Sequence, residues 1–105
     1  MLDDENIIKK ANIKLLDLKE YKTGNSYLHK AILNNVYQLV VYLVHKGVNI
    51  NSQNIIGETP MHIAIKKGFK DIISFLLNKG AILDIEDKNG RNAVYYADVR
   101  NTYYK

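Results

Sequence analysis

The sequence contains no cysteine. That excludes disulfides, cysteine-based zinc sites, iron–sulfur centres and thiol nucleophiles within these residues. It also lacks a long apolar run. The longest, LVVYLV from Leu39 to Val44, falls far short of the ~20 apolar residues a spanning helix needs. The opening MLDDEN carries acids where a secretory signal carries basic residues and then an apolar stretch, so a cytosolic or nuclear protein is expected. Arginine is scarce: only Arg91 and Arg100 occur, and there is no basic helix or groove-reading motif. No nucleophile elbow, glycine-rich phosphate loop or zincin helix is found either.

What remains is the balance of a folded domain. The chain has 105 residues, 47% of them apolar and 25% charged, with a net charge of +4. That is room for one domain. Ile, Lys and Asn supply roughly a third of the residues, above ordinary usage, as in proteins of AT-rich genomes.

Written against itself with a shift of about 33 residues, the chain falls into register without a gap. Gly24, Gly57 and Gly90 align, as do Leu28, Met61 and Val94. His29 meets His62, Ala31 meets Ala64 and Ala97, and Leu43 and Val44 meet Leu76 and Leu77. In the middle copy, GETPMHIAIKKG, Gly57 suits a turn of positive φ, Thr59 is an N-cap and Pro60 sits at N1, where its missing N–H costs nothing. Met61, Ala64 and Ile65 recur at helical spacing, and Gly68 ends this first helix. A second helix, Lys70 to Gly80, puts Ile72, Ile73, Leu76 and Leu77 on one face. In the first copy Ser26 replaces the capping threonine and Asn35 takes the helix-ending position. In the third, Asn92 takes the capping place and Tyr95 replaces histidine, and the second helix is missing or reduced to the stub NTYYK. Upstream, Asp4 to Leu16 reads as an amphipathic helix with Ile7, Ile8, Ala11, Leu15 and Leu16 on one side.

This pattern resembles the ankyrin-repeat family, strongly in the middle copy and partially in the third. The resemblance implies an all-α solenoid of helix–turn–helix units joined by β-hairpin-like fingers, about two full repeats with partial ends. The division expected is an N-terminal capping helix or half-repeat over 1–21, repeats over 22–54 and 55–87, and a partial repeat over 88–105. Such arrays need polar caps, so an uncapped C-terminal end is open to Tyr103 and Tyr104, to self-association, or to further residues of a longer protein.

The resemblance also assigns roles. Ser26 with His29, and Thr59 with His62, become structural pairs in which the imidazole bonds back to the hydroxyl residue and the adjoining turn. A metal would need further ligands at about 2 Å, which the spacing does not supply, and nothing calls for a cofactor. No pair of acids is placed as general acid and base, so catalysis is not expected. Partners of such proteins touch the finger tips and the exposed side of each first helix. Carried over by register, these are Lys22, Thr23, Asn25, Leu33 and Asn34 in the first copy. In the second they are Ile55, Ile56, Glu58, Lys66 and Lys67, and in the third Lys88, Asn89, Arg91, Val99 and Arg100. Tyr21 and Tyr96 fall on or near the same side. Apolar Ile55 and Ile56 amid basic residues suit an acidic or amphipathic segment of another protein, though Glu58, Glu86 and Asp87 interrupt the basic stripe. The expected function is a protein–protein interaction module, part of a larger protein or an effector of viral or bacterial origin acting in host cytosol. The alternative is nucleic-acid binding along the basic stripe.

Overall fold

The computed structural model describes residues 15–104, with side chains from Leu15 through Asp98. Most of the expected Asp4–Leu16 helix, and the side chains of Val99, Arg100, Tyr103 and Tyr104, lie outside the described residues. Leu15 and Leu16 are helical.

Five further helices follow: α1 Tyr27–Leu33, α2 Tyr37–His45, α3 Pro60–Lys67, α4 Lys70–Asn78 and α5 Ala93–Tyr104. Helices of seven to nine residues, as α1 to α4 are, do not persist alone in water, so packing must hold them. They form two rows. The inner row is α1, α3 and α5, each packed on the next; α2 and α4 form the outer row, packed on α1 and α3 respectively and on each other.

The starts and stops are those written locally in the sequence. Ser26 and Thr59 cap α1 and α3, each accepting the N–H of the histidine three residues on at 3.2 Å. Asn35 (φ 55°) and Gly68 (φ 71°) turn the chain through the left-handed region between inner and outer helix. There Val36 N–H donates to Ala31 O and Phe69 N–H to Ala64 O, satisfying carbonyls of the last helical turn. The third copy differs. Asn101 occupies the register of Asn35 and Gly68, yet α5 runs straight through it. The expected stub is therefore a continuation of the first helix rather than a remnant of the second.

The core lies between the rows. Leu28, Ile32, Val40, Leu43, Met61, Ala64, Ile72 and Leu76 are at most 2% exposed. The four apolar residues expected on one face of α4 divide: Ile72 and Leu76 are buried, Ile73 is half-buried and Leu77 is exposed. Tyr42 holds the same register as half-buried Phe75 yet stands 53% exposed, with the Lys46 ammonium 5.4 Å from its ring centre.

The fingers are tight loops; among the described residues no strand is formed beyond a single antiparallel bridge between Lys19 and Ser26. Asn54 and Asp87 build the second and third tips. Each Oδ1 accepts two backbone N–H groups, those of Ile56 and Glu58 or of Asn89 and Arg91. Neighbouring fingers are joined by one backbone bond each, Ile55 N–H to Thr23 O at 2.9 Å and Lys88 N–H to Ile56 O at 3.0 Å. Such close approach needs glycine. A Cβ at Gly57, where φ is +83°, would stand 2.8 Å from Lys88 N.

Candidate protein-interaction face

The two expected Ser/Thr–His pairs are capping boxes, and they do more than close a helix. Ser26 N–H donates to His29 Nδ1 at 3.1 Å, and Thr59 N–H to His62 Nδ1 at 3.0 Å. A nitrogen accepting there is unprotonated, which assigns the proton to Nε2 in each ring. Nε2–H of His29 then donates to Glu58 O at 2.8 Å, and that of His62 to Arg91 O at 2.9 Å. Each histidine thus ties its own repeat to the finger of the next. Burial holds the His29 imidazole below the ordinary histidine value, against the opposing pull of the Glu58 carbonyl. With both ring nitrogens bonded to protein, neither histidine has a lone pair directed at a ligand. Ser26 Oγ, buried and accepting the His29 N–H, is a cap and not a nucleophile.

The positions carried over to the concave side are mostly open to solvent. Lys22, Leu33, Asn34, Ile55, Ile56, Lys66, Lys67, Lys88, Asn89 and Arg91 are exposed. Thr23, Asn25 and Glu58 are half-buried, and Arg100 lies among the residues whose side chains are not described. Asn25 Oδ1 accepts from Asn54 Nδ2, clasping the first finger to the second. Asn34 folds back to donate to Lys30 O.

Charge along this side is less even than the sequence suggests. Lys66 Nζ lies 2.6 Å from Glu58 Oε2. Burial pushes Glu58 up, but the Lys66 ammonium and the Asn54 amide outweigh it and hold the carboxyl below its usual range. Desolvation opposes the charge on Lys66 too, and Glu58 outweighs it, so the ammonium is held above its usual range. Lys66 also stands 4.3 Å from the Tyr96 ring centre. The Tyr96 hydroxyl donates to Asp87 Oδ2. Burial pushes Asp87 up, while Tyr96 and the N–H groups of Arg91 and Asn89 more than reverse the shift. Tyr96 meets His62 edge-on at 5.9 Å, and Arg91 lies over Tyr95 at 4.8 Å. Glu20 is held low by its bond to Lys30, 2.6 Å away. Of the acids expected to interrupt the stripe, Glu58 and Asp87 are therefore satisfied internally, while Glu86 is exposed. Sequence reasoning reached Glu58, Lys66, Asp87, Arg91 and Tyr96 but not their pairing, and it did not single out Glu20, Lys30 or Asn54. The one advance sign was Tyr96, an aromatic on the inner-helix face at the register of Lys30 and Ile63.

Stacked helix pairs, fingers joined edge to edge and capping-box histidines reaching the next unit define a repeat solenoid of one class. A family model for ankyrin repeats in three copies matches residues 28–103, and the chain belongs to the ankyrin-repeat family.

Among known proteins, it is 35% identical over 74 residues to the E3 ubiquitin-protein ligase KEG of Arabidopsis thaliana, covering 70% of this chain and 5% of that protein. It is 34% identical over 70 residues to the human protein phosphatase 1 regulatory subunit 27, covering 67% of this chain and 46% of the relative. The fold matches the ankyrin repeat domain of Bcl-3 with a TM-score of 0.73 at 24% identity, over 82% of this chain and 40% of that one. The chain thus spans less than half the length of each. Ankyrin repeats are typically non-catalytic and bind other proteins, and in that general sense this chain is a protein-interaction module. Among the described residues no helix is long and apolar enough to cross a membrane.

Proposed function

We propose that the chain binds a partner protein through its concave side, the finger tips together with the exposed face of the inner helices, and that the partner presents an acidic or amphipathic segment. The observation that carries this is the pair Ile55 and Ile56, 55% and 53% exposed at the tip of a finger, although both of their backbone N–H groups are bonded. Holding two β-branched apolar residues in water contributes nothing to folding, whereas a partner would bury them. Lys22, Lys67 and Lys88 have no ion-pair partner among the described residues, so they offer steering charge to carboxylates. Two of the relatives, a regulatory subunit and a ubiquitin ligase, are named for acting on or with other proteins, which supports a recognition role within a larger assembly.

The test is capture with the chain as bait from its native cells or host, beside an Ile55→Asp/Lys67→Glu bait. One protein retained by the first and lost from the second supports the reading. A partner that binds both equally overturns the concave face, and recovery of nucleic acid alone, with steep salt dependence, overturns the protein partner.

A further inference from the structure

The three fingers are not equivalent, and the first is the exception. The second and third tips fold around Asn54 and Asp87, each accepting two backbone N–H groups. At the same register the first finger carries Tyr21, which has no short side-chain acceptor to turn inward. Thr23 takes over locally, its Oγ1 accepting from Asn25 N–H at 3.1 Å and donating to Glu20. Tyr21 is released outward and is 97% exposed. Beside it, Lys19, Glu20, Gly24, Gln53, Asn54 and Ile55 complete a cleft of about 420 Å³ between the first and second fingers. That volume falls within the roughly 300–1,000 Å³ of small-ligand clefts, room for a large side chain together with the backbone that flanks it.

The cleft has a definite charge. Glu20 is neutralised by Lys30, and Glu58 by Lys66. Lys19 donates to the uncharged carbonyl of Gln53 and keeps its positive charge, and Lys22 has no anionic partner among the described residues. Past Ile56, Lys88 adds another cation, while the free carboxylate of Glu86 belongs to the third finger. An apolar notch walled by a tyrosine and an isoleucine, with unneutralised lysines at its margins, is complementary to a peptide of opposite pattern.

Building on the concave-face reading, we propose that the cleft between the first and second fingers is the anchoring subsite, with Tyr21 its principal contact, and that it takes a short protein segment carrying one large apolar side chain flanked by carboxylates. The Glu58–Lys66–Tyr96–Asp87 group, bonded within itself, shapes the neighbouring surface and is not the contact.

Selection of a random dodecapeptide phage library on the full chain tests this, followed by fluorescence polarisation of the enriched peptide. The expected winners carry an aliphatic or aromatic residue between acids. Tyr21→Ser and Ile55→Ser each weaken the peptide by about tenfold or more, as does Lys22→Glu, while Lys70→Glu on α4 leaves it unchanged. All four sites are exposed, and circular dichroism confirms the fold of each variant. Winners without acidic excess, or affinity indifferent to Tyr21→Ser and Lys22→Glu, overturn the proposal. Affinity lost only with Leu33→Asp/Lys67→Glu overturns the finger cleft and leaves the wider concave face standing. Failure to enrich any peptide overturns the cleft alone, because the wider reading is judged by capture of a whole partner. Displacement of the peptide by oligothymidylate at matching concentration makes the cleft a phosphate site and also overturns it.

Discussion

The first and second repeats meet across a closed junction; among the described residues, the far side of the second repeat is covered by one helix alone. Leu28 and Met61 hold the same register and are each 1% exposed, whereas their counterpart Val94 is 44% exposed. Val40 is fully buried while its counterpart Ile73 is half-buried, and Leu77 stands 46% exposed. The residue types hardly differ. What differs is whether another inner and outer helix lies beyond them. In a stacked array, then, burial belongs to the junction and not to the residue, and nearest-neighbour contacts set stability.

Paired substitutions sharpen this contrast. Met61→Ala should cost about 2–5 kcal/mol in urea unfolding, and Val94→Ala less than about 1 kcal/mol. Equal losses would mean that the open side is covered in solution. Next come the glycines that let fingers approach. Gly57→Ala meets both positive φ and the backbone of the third finger and should cost about 1–3 kcal/mol. At Gly90, also of positive φ but with nothing within 4 Å, the same change should cost about 1 kcal/mol. Third, the caps: Thr59→Ala, at a buried box, should lose about 1–2 kcal/mol. Asn92→Ala should lose about half as much, since Asn92 makes only the single bond from Tyr95 N–H and lies half-buried.

The smallest effect is with pH. His29 is held below the ordinary value of 6.5, so near that pH the folded chain binds fewer protons than the unfolded one. Its stabilisation is whole above about pH 6.5 and is lost as pH falls through that value toward the depressed one. A urea midpoint that declines on acidification, with the decline reduced in His29→Gln, bears this out; a midpoint insensitive between pH 7 and 5 contradicts it.

Much of the fold was legible because its signals are local. A cap, its histidine and the left-handed turn at Asn35 or Gly68 lie within about ten residues of one another, and each is written in residue types with few alternatives. The outer-helix stripe was legible as apolar but not as buried, since cover comes from other elements. The site was legible in its positions and not in its bonding. Lys66 reaches back eight residues to Glu58, and Tyr96 nine to Asp87, across turns whose geometry no spacing rule fixes. Which lysines remain unpaired, and that Tyr21 turns outward where Asn54 turns inward, follow from those contacts. The run of α5 past Asn101 is likewise a competition between helix and turn that asparagine allows in either direction.

The histidine links also give the array a direction and a mechanical arrangement. Each imidazole reaches from one repeat to the backbone of the next, never the reverse, and each junction adds one backbone-to-backbone bond between fingers. Tension applied along the stack passes through these junctions in series, so the weakest one yields first. Tyr95 stands where a third imidazole would be. A further unit docked beyond α5 would have to be held without that link, and under load it would be the first to detach.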